Sequence, residues 1–190
     1  ADGVVQPGAT VQLGLRDWQV HAAPGHDPHS VVLFEPQRRL LISADALWER
    51  GFGVVFPELE GEQAFAEVEA TLDVIEQLQP EWVLPGHGGM FSDVAGALTV
   101  ARKRLADFQA DPQRPAQYAA KVLLKYKLLE WQQASCQQVQ DWCASTPLMQ
   151  QMRQRYFADQ DPAAWVLALL QALAAARAVV WEGDQVRNVD

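Results

Sequence analysis

The chain has 190 residues, 49% of them hydrophobic, and a formal net charge of −9 at pH 7, enough apolar material for one sizeable core or two small ones. Residues 1–110 hold 7 Lys/Arg against 16 Asp/Glu, while residues 111–190 hold 8 of each; with no basic surplus anywhere, nucleic acid is not an expected partner. No apolar run approaches the roughly 20 residues of a membrane span, so the expectation is a cytoplasmic protein with no membrane association.

The first sixty residues read as strands and turns. Thr10–Gly14 and Trp18–His21 alternate in polarity. Ser30–Phe34 and Arg39–Ser43 are continuous apolar runs joined by Glu35-Pro36-Gln37-Arg38, a hairpin signature. Continuous apolarity predicts strands covered on both faces. Between Glu62 and Gln79 the period lengthens, with Phe65, Val68, Leu72, Ile75 and Leu78 on one helical stripe. Pro80 stops that helix, and Glu81–Leu84 forms a short strand. Ser92 is the expected N-cap of the next helix, whose inner face is Val94, Leu98, Ala101, Leu105 and Phe108. This strand–helix order predicts an α/β layered domain.

Two prolines in Asp111-Pro112-Gln113-Arg114-Pro115 mark a boundary, so the expected domains are 1–112 and 113–190. Helices are expected from about Pro115 to Trp131, from a Ser135 cap through Trp142 and Cys143, from a Thr146 cap with Pro147 in the first turn, and from an Asp161 cap with Pro162 in the first turn. A hairpin turning at Gly183 closes the chain. Helices followed by one hairpin describe a winged-helix-like module. Cys136 and Cys143 lie about two helical turns, roughly 10 Å, apart, too far for a disulfide, and are expected to be free thiols.

The candidates for chemistry are His26, Asp45 and His87. Each follows an apolar, strand-like run and sits in a turn of small residues: Pro24-Gly25 before His26, Ser43-Ala44 before Asp45, Pro85-Gly86 before His87. Loops at one end of parallel strands converge, and imidazole and carboxylate suit zinc, iron or manganese. Taken singly, either histidine could equally be a turn residue, and Asp45 a helix N-cap.

Together the segments Ala23-Pro24-Gly25-His26, Ser30–Phe34, Leu41-Ile42-Ser43-Ala44-Asp45-Ala46-Leu47 and Leu84-Pro85-Gly86-His87-Gly88 resemble the second half of the metallo-β-lactamase-fold hydrolases, over roughly Gly8 to Asp107. That resemblance implies the second half of an αβ/βα sandwich with two zinc ions, or iron or manganese. His26 would ligate one metal, Asp45 bridge, and His87 ligate the other. The family's reaction is attack of metal-bound hydroxide on an ester, thioester, lactone or phosphodiester of a small-molecule substrate. The family's His-x-His-x-Asp-His motif is absent: the four histidines are His21, His26, His29 and His87. Asp27 and His29 also depart from the Thr and Gly often found after the ligand histidine. One imidazole per ion plus a shared carboxylate falls short of the three protein ligands a zinc site ordinarily has. The expectation is therefore a portion of a hydrolase, inactive as this chain alone, with self-association or retention of the missing N-terminal half through an uncovered apolar face. The rival is a non-catalytic winged-helix binding module on an α/β scaffold. The Trp48–Pro57 segment suits either a loop over the site or a packed loop.

Overall fold

The computed structural model describes residues 4–56 and 64–189. Contacts divide the chain into two compact units, Ala1–Ala110 and Asp111–Asp190.

The first unit is built from β1 (Thr10–Leu13), β2 (Arg16–Ala22), β3 (Val31–Glu35), β4 (Leu40–Ala44), α1 (Ala64–Leu78), β5 (Trp82–Pro85) and α2 (Val94–Ala110). Its sheet runs β1-β2-β3-β4-β5. The first four strands are antiparallel neighbours and only β4 with β5 is parallel. The sheet is thus mainly antiparallel, yet the convergence expected of parallel strands survives. Two reversals return β4 to the direction of β2, and β5 follows β4. The carboxyl ends of β2, β4 and β5 consequently share one rim.

The cross-strand partners Phe34, Leu41 and Val83 point to the helices and join Leu72, Ile75, Leu98, Ala101 and Leu105 in one buried cluster. These are the apolar positions that recur at threes and fours on α1 and α2, so the stripe and the sheet face define the same core. The opposite face carries Val20, Leu33, Ile42 and Leu84 as successive cross-strand partners. Val20 is buried, Leu33 and Ile42 are intermediate, and Leu84 remains 36% exposed. The two-sided coverage expected from β3 and β4 is therefore incomplete: buried and intermediate residues alternate along them. The helix after Pro80 also differs in its cap. Asp93, not Ser92, accepts from the Gly96 N–H at 3.0 Å, because the first turn starts one residue later than the Ser92 reading requires. Glu62 and Gln63, at the expected start of α1, lie outside the described residues.

The second unit comprises α3 (Gln113–Trp131), β6 (Gln133–Ser135), α4 (Cys136–Ser145), α5 (Pro147–Tyr156), α6 (Pro162–Ala175), β7 (Val179–Glu182) and β8 (Gln185–Asn188). Two caps form where the sequence places them: Ser135 accepts from Gln138 N–H at 3.1 Å and Asp161 from Ala164 N–H at 2.9 Å. Thr146 differs. Its hydroxyl turns back to the Trp142 carbonyl at 2.7 Å, leaving Pro147, which has no N–H to satisfy, to open α5. The β7–β8 hairpin turns at Gly183, with φ 60°, and β6 adds to its other edge in the order β6-β8-β7. Among the described residues, no helix is long and apolar enough to cross a membrane. Cys136 and Cys143 are both free, and burial pushes the Cys143 thiol up to about 12.

Candidate metal centre

His26, Asp45 and His87 follow β2, β4 and β5 and meet at the shared rim. His26 Nε2 lies 3.3 Å from Asp45 Oδ2, and His87 Nε2 lies 3.8 Å from Asp45 Oδ1. One carboxylate therefore faces two imidazoles, one through each oxygen.

The backbone is shaped to present that carboxylate. Ala44 adopts a left-handed φ of 46°, which a residue with a Cβ disfavours. This turns the chain sharply out of β4 so that Asp45 points over the strand end. Gly86 N–H donates to the Ala44 carbonyl at 2.8 Å and Gly53 N–H to the Asp45 carbonyl at 2.7 Å. Both approaches require glycine. A Cβ on Gly53 would sit 2.7 Å from Asp45 Cβ, and one on Gly86 would sit 3.0 Å from Asp45 Oδ1. Below the turn, the buried Ser43 hydroxyl donates to the Leu47 carbonyl at 2.6 Å.

His26 is fixed from behind. Its Nδ1 lies 2.6 Å from the Val54 carbonyl oxygen. A carbonyl only accepts, so Nδ1 carries a proton, and in a neutral ring Nε2 is then the nitrogen left to ligate, facing Asp45. Nε2 and Oδ2 at 3.3 Å are reconciled by a proton or a cation between them. The edge of a tetrahedron with zinc bonds of 2.0–2.1 Å is about 3.3 Å, so this pair has the bite of two ligands on one ion. Among the described residues, no group of three or more His, Cys, Asp and Glu could hold an ion as one cage. The three residues instead form two edges sharing a carboxylate. Each edge offers two donors of the kinds that zinc, iron and manganese accept.

Trp48 belongs to this site and the sequence reading did not assign it there. Its indole Nε1–H donates to Asp45 Oδ1 at 3.1 Å, and its ring meets that of His87 with centroids 5.0 Å apart and planes at 71°. The Trp48–Phe56 stretch is both packed and part of the site. Phe52, Val54 and Val55 are buried, while Trp48, Gly53 and the Val54 carbonyl touch the three candidates; Pro57 lies outside the described residues. Asp27 and His29 are spent on their own turn, with the His29 N–H donating to Asp27 Oδ1 at 2.8 Å.

Residues 1–87 match the family model described as metallo-beta-lactamase superfamily, a span that ends at His87 and includes all three candidates. Among curated proteins, this chain is similar to the acyl-coenzyme A thioesterase MBLAC2 of Bos taurus, at 28% identity over 88 residues, and of Homo sapiens, at 27%. Each alignment covers 46% of this chain and 32% of the relative, so the match spans about a third of those proteins' length. Among solved structures, a metallo-beta-lactamase family protein of Thermus thermophilus aligns at 19% identity and a TM-score of 0.49, covering 97% of this chain and 54% of that one. A beta-lactamase domain protein of Burkholderia ambifaria aligns at 24% and 0.48, covering 98% and 52%.

Proposed function

We propose that this chain contributes to a metal-dependent hydrolase, with His26 ligating one ion, His87 a second, and Asp45 bridging the two. The observation that carries this reading is His26 Nε2 held 3.3 Å from Asp45 Oδ2 while its Nδ1 is turned to the Val54 carbonyl. That arrangement is stabilised by a shared cation, and a carboxyl-backed or carbonyl-backed imidazole is the usual way a ligand tautomer is fixed. Zinc suits this donor set, and so do iron and manganese.

A bound divalent ion would supply a water ionised near neutral pH and polarise the scissile group. The chain's own residues hold the geometry: Asp45 sets the spacing of the two positions through its two oxygens, and Gly53 and Gly86 let the backbone close on it. Among ester, thioester, lactone and phosphodiester substrates, thioesters are the first class to test, because the two curated relatives are named acyl-coenzyme A thioesterases. Hydrolysis would split the acyl–sulfur bond, the hydroxyl going to the acyl carbon and the proton to the thiolate.

Each position has two donors from this chain, one fewer than the three protein ligands of a typical zinc site. The chain by itself should therefore retain fewer than two equivalents of zinc after dialysis and hydrolyse acyl-thioesters negligibly. Elemental analysis recovering two equivalents per chain would refute the incompleteness. In the protein that carries the remaining ligands, Asp45→Ala should abolish both metal and thioester hydrolysis. Unchanged metal content would sink the hydrolase reading.

A second reading is favoured by one observation in the other unit. A helix, a strand, further helices and a hairpin, with strand order β6-β8-β7, support a winged-helix-like module that binds a partner. Altered partner binding in Asp45→Ala with metal content intact would favour that reading.

A further inference from the structure

The two histidines facing Asp45 are supported unequally. His26 is tied through Nδ1 to the Val54 carbonyl, and its loop is anchored where Thr71 donates to the Pro24 carbonyl at 2.9 Å. His87 stands in a turn with Gly88 at φ 90° and its side chain is 65% exposed. Among the described residues, no hydrogen bond holds its Nδ1. A ligating imidazole ordinarily donates its second N–H to a carbonyl or carboxylate, which fixes the ring plane. His87 has the Trp48 ring instead, edge to face at 5.0 Å. That indole also grips, at 3.1 Å, the carboxylate oxygen that faces His87.

We infer that Trp48 is the positioning residue of the His87 half of the site, fixing Asp45 Oδ1 through its indole N–H and the plane of the His87 ring through its face or edge. This rests on the metal reading of His26, Asp45 and His87. The local backbone supports the role. Trp48 N–H donates to the Gly51 carbonyl at 2.6 Å, closing a four-residue loop. Gly51, at φ 123°, lets the Arg104 guanidinium pass where a Cβ would come within 2.8 Å of it. The indole therefore emerges from a braced turn. A carboxylate oxygen has lone pairs for an ion and an N–H together, so the Trp48 hydrogen bond orients Oδ1 without occupying the ion's place. Phenylalanine would keep the ring contact and lose the donor; alanine would lose both.

The test is a zinc chloride titration of this chain followed by the imidazole nitrogen resonances of His26 and His87, in wild type, W48F, W48A and D45N. A removed outer-sphere partner typically weakens metal affinity about 10–100-fold. In W48F the zinc concentration that half-shifts His87 should rise about tenfold, with a distinctly smaller change at His26, and W48A should add to the effect at His87. A wild-type response of His87 in W48F overturns the inference and leaves the metal reading standing. An unchanged response of both histidines in D45N overturns the metal reading itself. Should either Trp48 variant fail to fold, the wild-type protein still decides. The Trp48 indole proton should show a nuclear Overhauser contact to the His87 ring and shift on zinc addition, and absence of that contact refutes the role.

Discussion

At the rim of the Ala1–Ala110 unit, strong polar groups are left facing one another; at the hairpin of the Asp111–Asp190 unit they are tied down. Asp45 confronts two imidazoles with one indole donor to help it, and the residue before it holds a disfavoured backbone conformation. In the second unit, the Lys125 ammonium donates to the Ala178 carbonyl at 2.9 Å, the Val189 carbonyl at 2.6 Å and the Asn188 side-chain oxygen. That one cation, on α3, closes both ends of the β7–β8 hairpin. Ser135 and Asp161 are likewise consumed as caps. The contrast separates two uses of polar residues: those that satisfy the fold, and those left incompletely satisfied where a ligand would complete them.

The comparison breaks most visibly if the second unit's clamp is removed. Lys125→Met keeps the aliphatic stem and strips the three donors from the Ala178, Asn188 and Val189 oxygens. Hydrogen bonds to charged groups are worth about 1.5–3 kcal/mol each, less where water substitutes, so a net loss of about 2–4 kcal/mol is expected. Denaturant unfolding should show that loss, while the zinc response of His26 and His87 stays as in wild type. A loss of stability below about 0.5 kcal/mol, typical of surface changes, would mean the clamp is ornamental.

Gly53→Ala sharpens the comparison from the other side. The added methyl must displace Asp45 Cβ, 2.7 Å away, or the His26 ring, whose Nδ1 is 3.1 Å away. Overpacking of this kind costs about 1–3 kcal/mol, and here the strain falls on the carboxylate itself. A modest loss of thermal stability should accompany a weaker zinc response at both histidines. An undisturbed zinc titration would show that the rim yields more readily than its close contacts imply.

How far the sequence reveals these features depends on the range of the interaction. His26, Asp45 and His87 are legible because each ends an apolar run and is preceded by small residues, a local signal that one rim then gathers. The α1 and α2 stripes are legible for the same reason. Trp48 is half legible: its segment suits a loop over the site or a packed loop, and its link to Asp45 depends on how the 48–51 loop closes. The Val54 carbonyl is invisible in principle, since any residue there offers the same backbone oxygen. Strand β6 escapes because Gln133-Ala134-Ser135 has no pattern of its own and exists only by pairing with β8. The half-covered face of β3 and β4 is missed because a run such as Val31–Phe34 looks the same whether its second face is covered or only half covered.

The smallest expected effect concerns a histidine outside the site. His21, on β2, has a buried Nε2 without a hydrogen-bond partner among the described residues, and burial lowers its pKa from the ordinary 6.5. The sign follows from proton counting. Below 6.5 the unfolded chain takes up a proton that the folded chain declines, so stability falls as pH drops through this window. The fall levels off once the pH passes below the folded value, and above 6.5 the group has no pH-dependent effect. Urea unfolding across the imidazole range should therefore show wild type losing stability on acidification faster than His21→Phe, which cannot titrate. The two proteins differ at this one side chain, so the difference between the two curves isolates His21. Parallel curves would mean that water or a rearranged neighbour reaches Nε2 on protonation, and that this buried imidazole is as well satisfied as the Lys125 clamp.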